Sequence, residues 1–343
     1  MSDTRQALLG LTLEELQAIA AELGMPSFTA KQMAQWLYVK NVDDINDMTN
    51  LSQKNRNMLS ERYTIGKMPH TERHESTDGT VKYLFPTDNG HSVEAVFIPD
   101  DDRATLCVSS QVGCRMGCRF CMTGRQGFQG NCTTHDIINQ VYALPEWDRL
   151  TNIVYMGQGE PMDNMEAVMQ STQLLMAPYG MNWSPRRITV STVGVKNNME
   201  RFINESPCHL ALSLHNPFAD GRLRMMPAEG GFALSESLKV LKKYDWSKQR
   251  RLSFEYIVFD GINDTPRHAK ELIRILSPIR GVRVNLIHFH TIPDTEFRGA
   301  GEDRMLWMRD ILNAGGITCT IRTSRGQDIY AACGMLNTDR AKA

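Results

Sequence analysis

From residue 104 onward the chain alternates between two hydrophobic patterns. Short, nearly continuous apolar runs, ATLCVSS, NIVYMG, RITVST, HLALSLH, LSFEYIVF, VRVNLIHF and ITCTIRT, read as buried strands. Between most of them lie helical patterns: HDIINQVYALPEW, NMEAVMQSTQLLM, ESLKVLKKY, RHAKELIRIL and EDRMLWMRDIL. Repeated units of this kind predict an α/β fold with a parallel sheet. Six units and a last strand fit a partial, open (β/α)6 barrel better than a complete eightfold one. Reactive groups in such barrels gather at the C-terminal ends of strands. Gly157 to Pro161, Ser191, Ser213 to His215 and His290 fall there.

The first part of the chain has another period. LTLEELQAIAAELG reads as a helix capped by Thr12 and stopped by Gly24. FTAKQMAQWLYV and LSQKNRNMLSERY continue the helical pattern, so residues 1–65 are expected to form a helical accessory domain. In residues 66–103, HTERHEST, TVKYLF and SVEAVFIP alternate in β fashion around the turn signals DG and NG. This stretch predicts a β-rich connector. Residues 104–343 then hold the barrel and a C-terminal segment.

Composition narrows the function. The 343 residues are 41% hydrophobic and 22% charged, ordinary for a globular protein. The formal net charge is −1, so nucleic acid would have to be held by local patches. Candidates are Arg115, Arg119 and Arg125; Arg186 and Arg187; Lys242 and Lys243; Lys248, Arg250 and Arg251; and Arg322 and Arg325. Several of these are expected near the barrel mouth. No run is apolar enough to span a membrane, and MSDTRQALLGLTLEELQ does not read as a signal peptide. With eight cysteines and no export signal, a reducing cytoplasm is expected. The thiols are then metal ligands, catalytic groups or buried hydrophobes.

The sequence CRMGCRFC spaces Cys114, Cys118 and Cys121 as C-x3-C-x2-C directly after a strand. Three thiolates in one loop converge on one inorganic body. A [4Fe–4S] cluster held by three cysteines keeps one iron open. That iron can be chelated by the amino and carboxylate groups of S-adenosylmethionine. The alternatives are structural zinc, usually built from paired CxxC knuckles with no second pair visible here, and three buried cysteines. Cys208 and Cys319 sit in apolar strand patterns and read as buried hydrophobes, and Cys132 reads as structural.

The cysteine motif, with an aromatic before its last cysteine, resembles the radical S-adenosylmethionine superfamily. MGQGEP, STVG and SLH stand after the second, third and fourth strands, where that superfamily binds the cofactor. The closer match, carried by RATLCVSSQVGC, MGQGEPMDN, RRITVSTVGV, LALSLHNP, VNLI and TSRGQDIYAACG, resembles the RlmN/Cfr family of RNA methyltransferases. The resemblance implies a radical-SAM barrel that carries a [4Fe–4S] cluster on Cys114, Cys118 and Cys121. It implies cofactor contacts from Gly159, Glu160, Ser191, Ser213, Leu214 and His215. His290 stands where the family usually has Asn. Catalytic roles fall on Cys333, which carries a methyl group; on Cys107, which releases the product through a transient disulfide; and on Glu94, the proton acceptor. Nearby arginines are expected to favour the thiolate form of the attacking cysteine.

The implied reaction is methylation of adenosine C2 in 23S rRNA and in tRNA beside the anticodon, with C8 methylation of 23S rRNA as the alternative. A zinc-stabilised RNA-binding module without catalysis is the competitor from another class. Implied partners are the two RNAs and an electron donor such as flavodoxin or ferredoxin. A monomer is expected.

Overall fold

A computed structural model describes residues 5–248 and 250–338; the outer ends of the first and last expected domains lie outside that range. Ten strands form one sheet arranged in strict chain order. They are β1 (Glu72–Glu75), β2 (Val81–Pro86), β3 (Ser92–Asp100), β4 (Arg103–Cys107), β5 (Asn152–Tyr155), β6 (Ile188–Thr192), β7 (His209–Ser213), β8 (Leu252–Val258), β9 (Val282–His288) and β10 (Thr318–Ile321). β1 to β4 pair antiparallel, and β4 to β10 pair parallel. The seven parallel strands are the seven apolar runs of the sequence, separated by six helical crossovers. The open (β/α)6 barrel is therefore present. The expected connector is continuous with it, because β3 pairs along β4 from Asp100↔Arg103 to Val96↔Cys107.

Burial follows the strand patterns. All seven residues of β8 are buried, as both faces of a central parallel strand are covered. The expected helices appear as Thr134–Tyr142, Met165–Met176, Leu234–Leu241, Pro266–Leu276 and Glu302–Ala314. Two more, Lys196–Glu205 and Ala219–Met225, fill gaps in that set. Their sequences, KNNMERFINE and ADGRLRM, are mostly polar and bury few side chains.

The N-terminal module is closed by a parallel pairing of Gln6–Ala7 with Tyr63–Thr64. Its first helix, Leu13–Glu22, starts in a capping box: Thr12 accepts from the Glu15 N–H, and Glu15 accepts from the Thr12 N–H. The module docks on the first crossover helices. Gln170 donates to Glu15 at 2.9 Å, Asn41 donates to the Tyr142 carbonyl at 3.0 Å, and the Tyr38 and Tyr142 rings meet edge-on. His135 clamps the seam, with Nε2 on the Gly66 carbonyl and Nδ1 on Asp88. Burial opposes a charged ring there, but the Asp88 hydrogen bond overcomes it and raises the imidazole pKa. With both ring nitrogens engaged, the neighbouring Asp88–His135–Asp136 group is a protein–protein clamp.

Candidate active site

The loop after β4 places the three motif cysteines. Gln111–Val112 pairs antiparallel with Gly130–Asn131 and clasps the loop at its base. Gly113 has φ +70, and a Cβ there would lie 1.7 Å from the Gly127 carbonyl oxygen, so the clasp needs glycine. The Cys121 N–H donates to the Cys118 carbonyl, and the Arg119 N–H donates to the Met225 carbonyl. Phe120 packs with Met116, Met225, Met226 and Phe259 beneath them.

All three cysteines line one cavity at the C-terminal end of the barrel. Thiolates around one tetrahedral zinc stand about 3.8 Å apart, as a Zn–S bond of about 2.3 Å requires. Among the described residues these three sulfurs are not all within 4.8 Å of one another. Three thiols converging on one cavity fit the ligand set of a [4Fe–4S] cluster with one iron left open. Burial pushes the Cys114 thiol up to about 12 and Cys118 well above its ordinary value. A cationic inorganic centre is what would hold such thiols as thiolates.

The same cavity is lined by Gly157, Gly159, Glu160, Ser191, Ser213 and His215. Gly159 has φ +101, and a Cβ would lie 2.6 Å from the Gln111 side chain, so backbone is all that fits. Glu160 is buried and accepts from the N–H groups of Met162 at 3.0 Å and Val193 at 2.9 Å. Burial raises its pKa to about 7, against the lowering effect of Thr192 and these N–H groups. A buried carboxylate left partly neutral is matched to an ammonium group, such as that of the methionine moiety. His215 holds a positive φ of 52 and accepts the Ile257 N–H on Nδ1 at 3.0 Å. Burial and then Arg222 lower its pKa to about 3, so the ring is neutral with Nε2 protonated.

The Glu160 pKa gives a signed expectation. An ammonium ligand favours the ionised carboxylate, so S-adenosylmethionine affinity should rise with pH and level off above about 7. Below that value it should fall by up to about tenfold per pH unit. Anaerobic calorimetry on the cluster-loaded protein reads this out. Glu160→Gln should bind weakly with a flat profile through pH 6–7, and an unchanged slope in the variant would remove Glu160 from the contact.

Two further expected contacts, Leu214 and His290, are not among the residues lining this cavity. Leu214 is a core side chain, and its backbone is already engaged: its N–H donates to the Glu255 carbonyl at 3.0 Å and its carbonyl accepts from Arg222 at 3.2 Å. His290 lines an adjoining depression with His288 and Glu302, which shares Arg322 with the cysteine cavity.

The distant thiols come together. Cys333 lines the cavity, and the Met122 N–H donates to the Gly334 carbonyl at 2.8 Å, fixing this segment beside Cys121. Cys107, at the end of β4, interacts electrostatically with Cys333 and with Arg322. Contrary to expectation, arginine does not win at either thiol. Burial raises Cys107 to about 12; Cys333 is raised by the atoms crowded around its sulfur, with Arg322 offsetting only part of it, although the residue itself is exposed to solvent. Glu94 is buried rather than solvated. Its carboxylate pairs with Lys82 at 2.9 Å and accepts the Asn337 N–H at 2.6 Å. It lines a second cavity, with Tyr330, Met335 and Asn337 from the segment that carries Cys333.

Three residues carry no motif that sequence reasoning could use. Glu255 lines the cavity from β8, where it accepts from Ser253 and Asn285 at 2.8 Å each and stands 3.5 Å from Arg322. A carboxylate in the middle of an apolar strand is its one signal. Arg322, which the sequence offers only as part of a basic patch, is an inner residue of the site. Arg222 is completely buried and pairs with Glu229. Cys132, Cys208 and Cys319 are buried, as expected.

Comparisons with known proteins show the family. Residues 6–65 match the family described as ribosomal RNA large subunit methyltransferase N-terminal domain, and residues 108–274 match the radical SAM superfamily. A probable dual-specificity RNA methyltransferase RlmN of Bacteroides fragilis is 56% identical over 333 residues, 96% of each chain. The dual-specificity RNA methyltransferase RlmN of Desulfotalea psychrophila is 40% identical over 97% of this chain and 95% of its own. A radical SAM methyltransferase from Sphaerobacter thermophilus superposes with a TM-score of 0.91 at 38% identity, covering 97% of this chain and 99% of that one. That superfamily uses a [4Fe–4S] cluster and S-adenosylmethionine, which the cysteine loop and the Glu160 cradle fit. The chain belongs to the RlmN family of radical S-adenosylmethionine RNA methyltransferases.

Proposed function

We propose that this protein methylates C2 of adenosine in 23S rRNA at the peptidyl-transferase centre and in tRNA at the position 3′ of the anticodon, through a methyl-cysteine at Cys333. The observation that carries the reading is that Cys333 lines the cavity of Cys114, Cys118 and Cys121, with Cys107 near enough to interact with it electrostatically. Adenine C2 is not nucleophilic, so simple displacement of a methyl group from S-adenosylmethionine cannot serve. When bound, the cluster and S-adenosylmethionine supply the 5′-deoxyadenosyl radical. Cys333 carries the methyl group on sulfur, yields a hydrogen atom from it, and presents the resulting carbon to C2. Glu94 takes the ring proton. For this the carboxylate must exchange its Asn337 bond for the substrate, which asks the Cys333 segment to shift. The adduct's unpaired electron would return to the bound cluster; Cys107 then attacks the Cys333 sulfur, the S–C bond breaks, the released carbon takes up a proton to become the methyl group, and a disulfide is left for reduction.

The relatives' names support an RNA substrate of two kinds. The N-terminal module supplies an RNA grip through cations laid over aromatic rings, with Lys40 3.4 Å from the Trp36 centroid. The adenine leaves its stack to reach Cys333. Electrons come from a flavodoxin or ferredoxin, the enzyme works as a monomer, and its compartment is the cytoplasm. Among the described residues no helix is long and apolar enough to cross a membrane.

Peptide mass spectrometry tests the proposal. Protein isolated from cells, or incubated anaerobically with S-adenosylmethionine, should carry one extra methyl group on the peptide containing Cys333. Cys333→Ala should carry none and should methylate no RNA. Methylation of RNA by that variant would overturn the mechanism.

A further inference from the structure

The barrel has a second charged concavity, at the end opposite the cysteines. It is a cavity of about 460 Å³ lined by Arg186, His209, Lys248, Arg250, Arg251 and Arg283. The register of the sheet assembles it. Thr189 pairs with His209, Leu210 with Leu252, Leu252 with Val282 and Arg283 with Thr318, so the residues that open β6 to β10 lie side by side. His209 is the first residue of β7 and Ser213 the last, so about 13 Å of strand separates this cavity from the catalytic one. Arg186, Lys248, Arg250 and Arg251 are candidates for the barrel mouth on sequence grounds. The strand starts put them at the other end.

Several surface cations elsewhere are paired with carboxylates: Arg201 with Glu166 and Glu205, Arg274 with Glu271, Lys239 with Glu236. Here they are not. Among the described residues no carboxylate lies within 4.0 Å of Arg186, Arg250, Arg251 or Arg283, and Lys248 only reaches Asp245, at 4.0 Å. No acidic side chain lines the cavity. In a chain of net charge −1, this unopposed concentration of positive charge repels itself unless an anion sits in it. Burial and then the surrounding arginines push His209 down to about 4. Its Nδ1 accepts the Arg251 N–H at 3.0 Å, leaving a neutral ring with Nε2 as a donor. Planar guanidinium forks with a further N–H donor are the groups that recognise phosphate oxygens.

We propose that the N-terminal end of the barrel is a phosphate-binding site, separate from the catalytic cavity, formed by Arg186, His209, Lys248, Arg250, Arg251 and Arg283. The phosphate belongs either to an RNA backbone reaching around the barrel or to a free nucleotide. The site does not depend on the methylation chemistry proposed above.

Arg186 and Arg283 are exposed, so Arg186→Gln/Arg283→Gln leaves the core intact. Calorimetry on the cluster-loaded protein, with inorganic pyrophosphate at fixed ionic strength, should give saturable binding at one site per chain. The double variant should weaken it by at least about tenfold while S-adenosylmethionine binding stays unchanged. Loss of RNA affinity in the same variant, with a salt dependence flattened by about two phosphate contacts, identifies the ligand as RNA backbone. Unchanged RNA affinity with lost pyrophosphate binding identifies a free nucleotide. No saturable pyrophosphate binding, or binding equal in the two proteins, overturns the proposal.

Discussion

Replacing Cys107 with alanine should convert the enzyme into a trap for its own RNA. In the proposed cycle the substrate carbon is bonded to the methylene on Cys333, and only attack on that sulfur frees it. In that cycle Cys107 makes this attack: it ends β4 and interacts electrostatically with Cys333. Cys121, the other thiol acting on Cys333, has the cluster to hold. Cys107→Ala should therefore still form the bond to adenine and fail to break it. Denaturing gels should show RNA migrating with protein, and turnover should fall by at least about 10³-fold, the scale of losing a nucleophile. In the native enzyme the step should speed up with rising pH, because a thiol raised to about 12 is mostly protonated near neutrality. Normal release of methylated RNA by Cys107→Ala would contradict this role.

The second large effect is structural. Arg222 is 0% exposed and its guanidinium is shared among the ends of two barrel strands. It pairs with Glu229 and donates to the carbonyls of Val193 at 2.8 Å, Ser213 at 3.0 Å and Leu214 at 3.2 Å. Those residues frame the strand ends where Ser191, Ser213 and Glu160 meet the cavity. Burial lowers the Arg222 pKa, but Glu229 keeps it charged. Arg222→Met removes every one of these bonds and strands Glu229, whose other partner is the Leu234 N–H. Losing one member of a buried pair costs about 3–5 kcal/mol. Chemical denaturation should show that loss, and Arg222→Met/Glu229→Gln should recover part of it because no buried charge is left alone. A single variant as stable as the wild type would show that the pair is not needed to hold the strand ends.

These two residues mark how far the sequence is legible. The role of Cys107 is implied only by the family resemblance that the RATLC segment helps to carry; taken by itself, a cysteine at the end of an apolar strand reads as a buried hydrophobe. Arg222 lies in ADGRLRM, where nothing distinguishes it from solvated Arg224 next but one, since burial here is decided by how that short helix folds back over β6 and β7. The strands are legible because a parallel sheet buries both faces and leaves continuous apolar runs. The helices Lys196–Glu205 and Ala219–Met225 are not among the helices expected; both are short and mostly polar. Among site residues, the cysteines, Glu160 and His215 can be placed from motifs at strand ends. Glu255 and Arg322 cannot, because each meets the cavity through pairing across β8, β9 and β10. The basic clusters mislead for a related reason: Arg250 and Arg251 precede a strand and Arg322 follows one, and that difference alone sends them to opposite ends of the barrel.

The central claim is the identity of the product. Cluster-loaded protein, S-adenosylmethionine, a reductant and unmodified 23S rRNA or tRNA should be incubated anaerobically, and the RNA digested and resolved by mass spectrometry against synthetic standards. The account predicts 2-methyladenosine from both RNAs and none from the Cys333→Ala protein. Formation of 8-methyladenosine instead, or of no methylated adenosine by protein with an intact cluster, would contradict it.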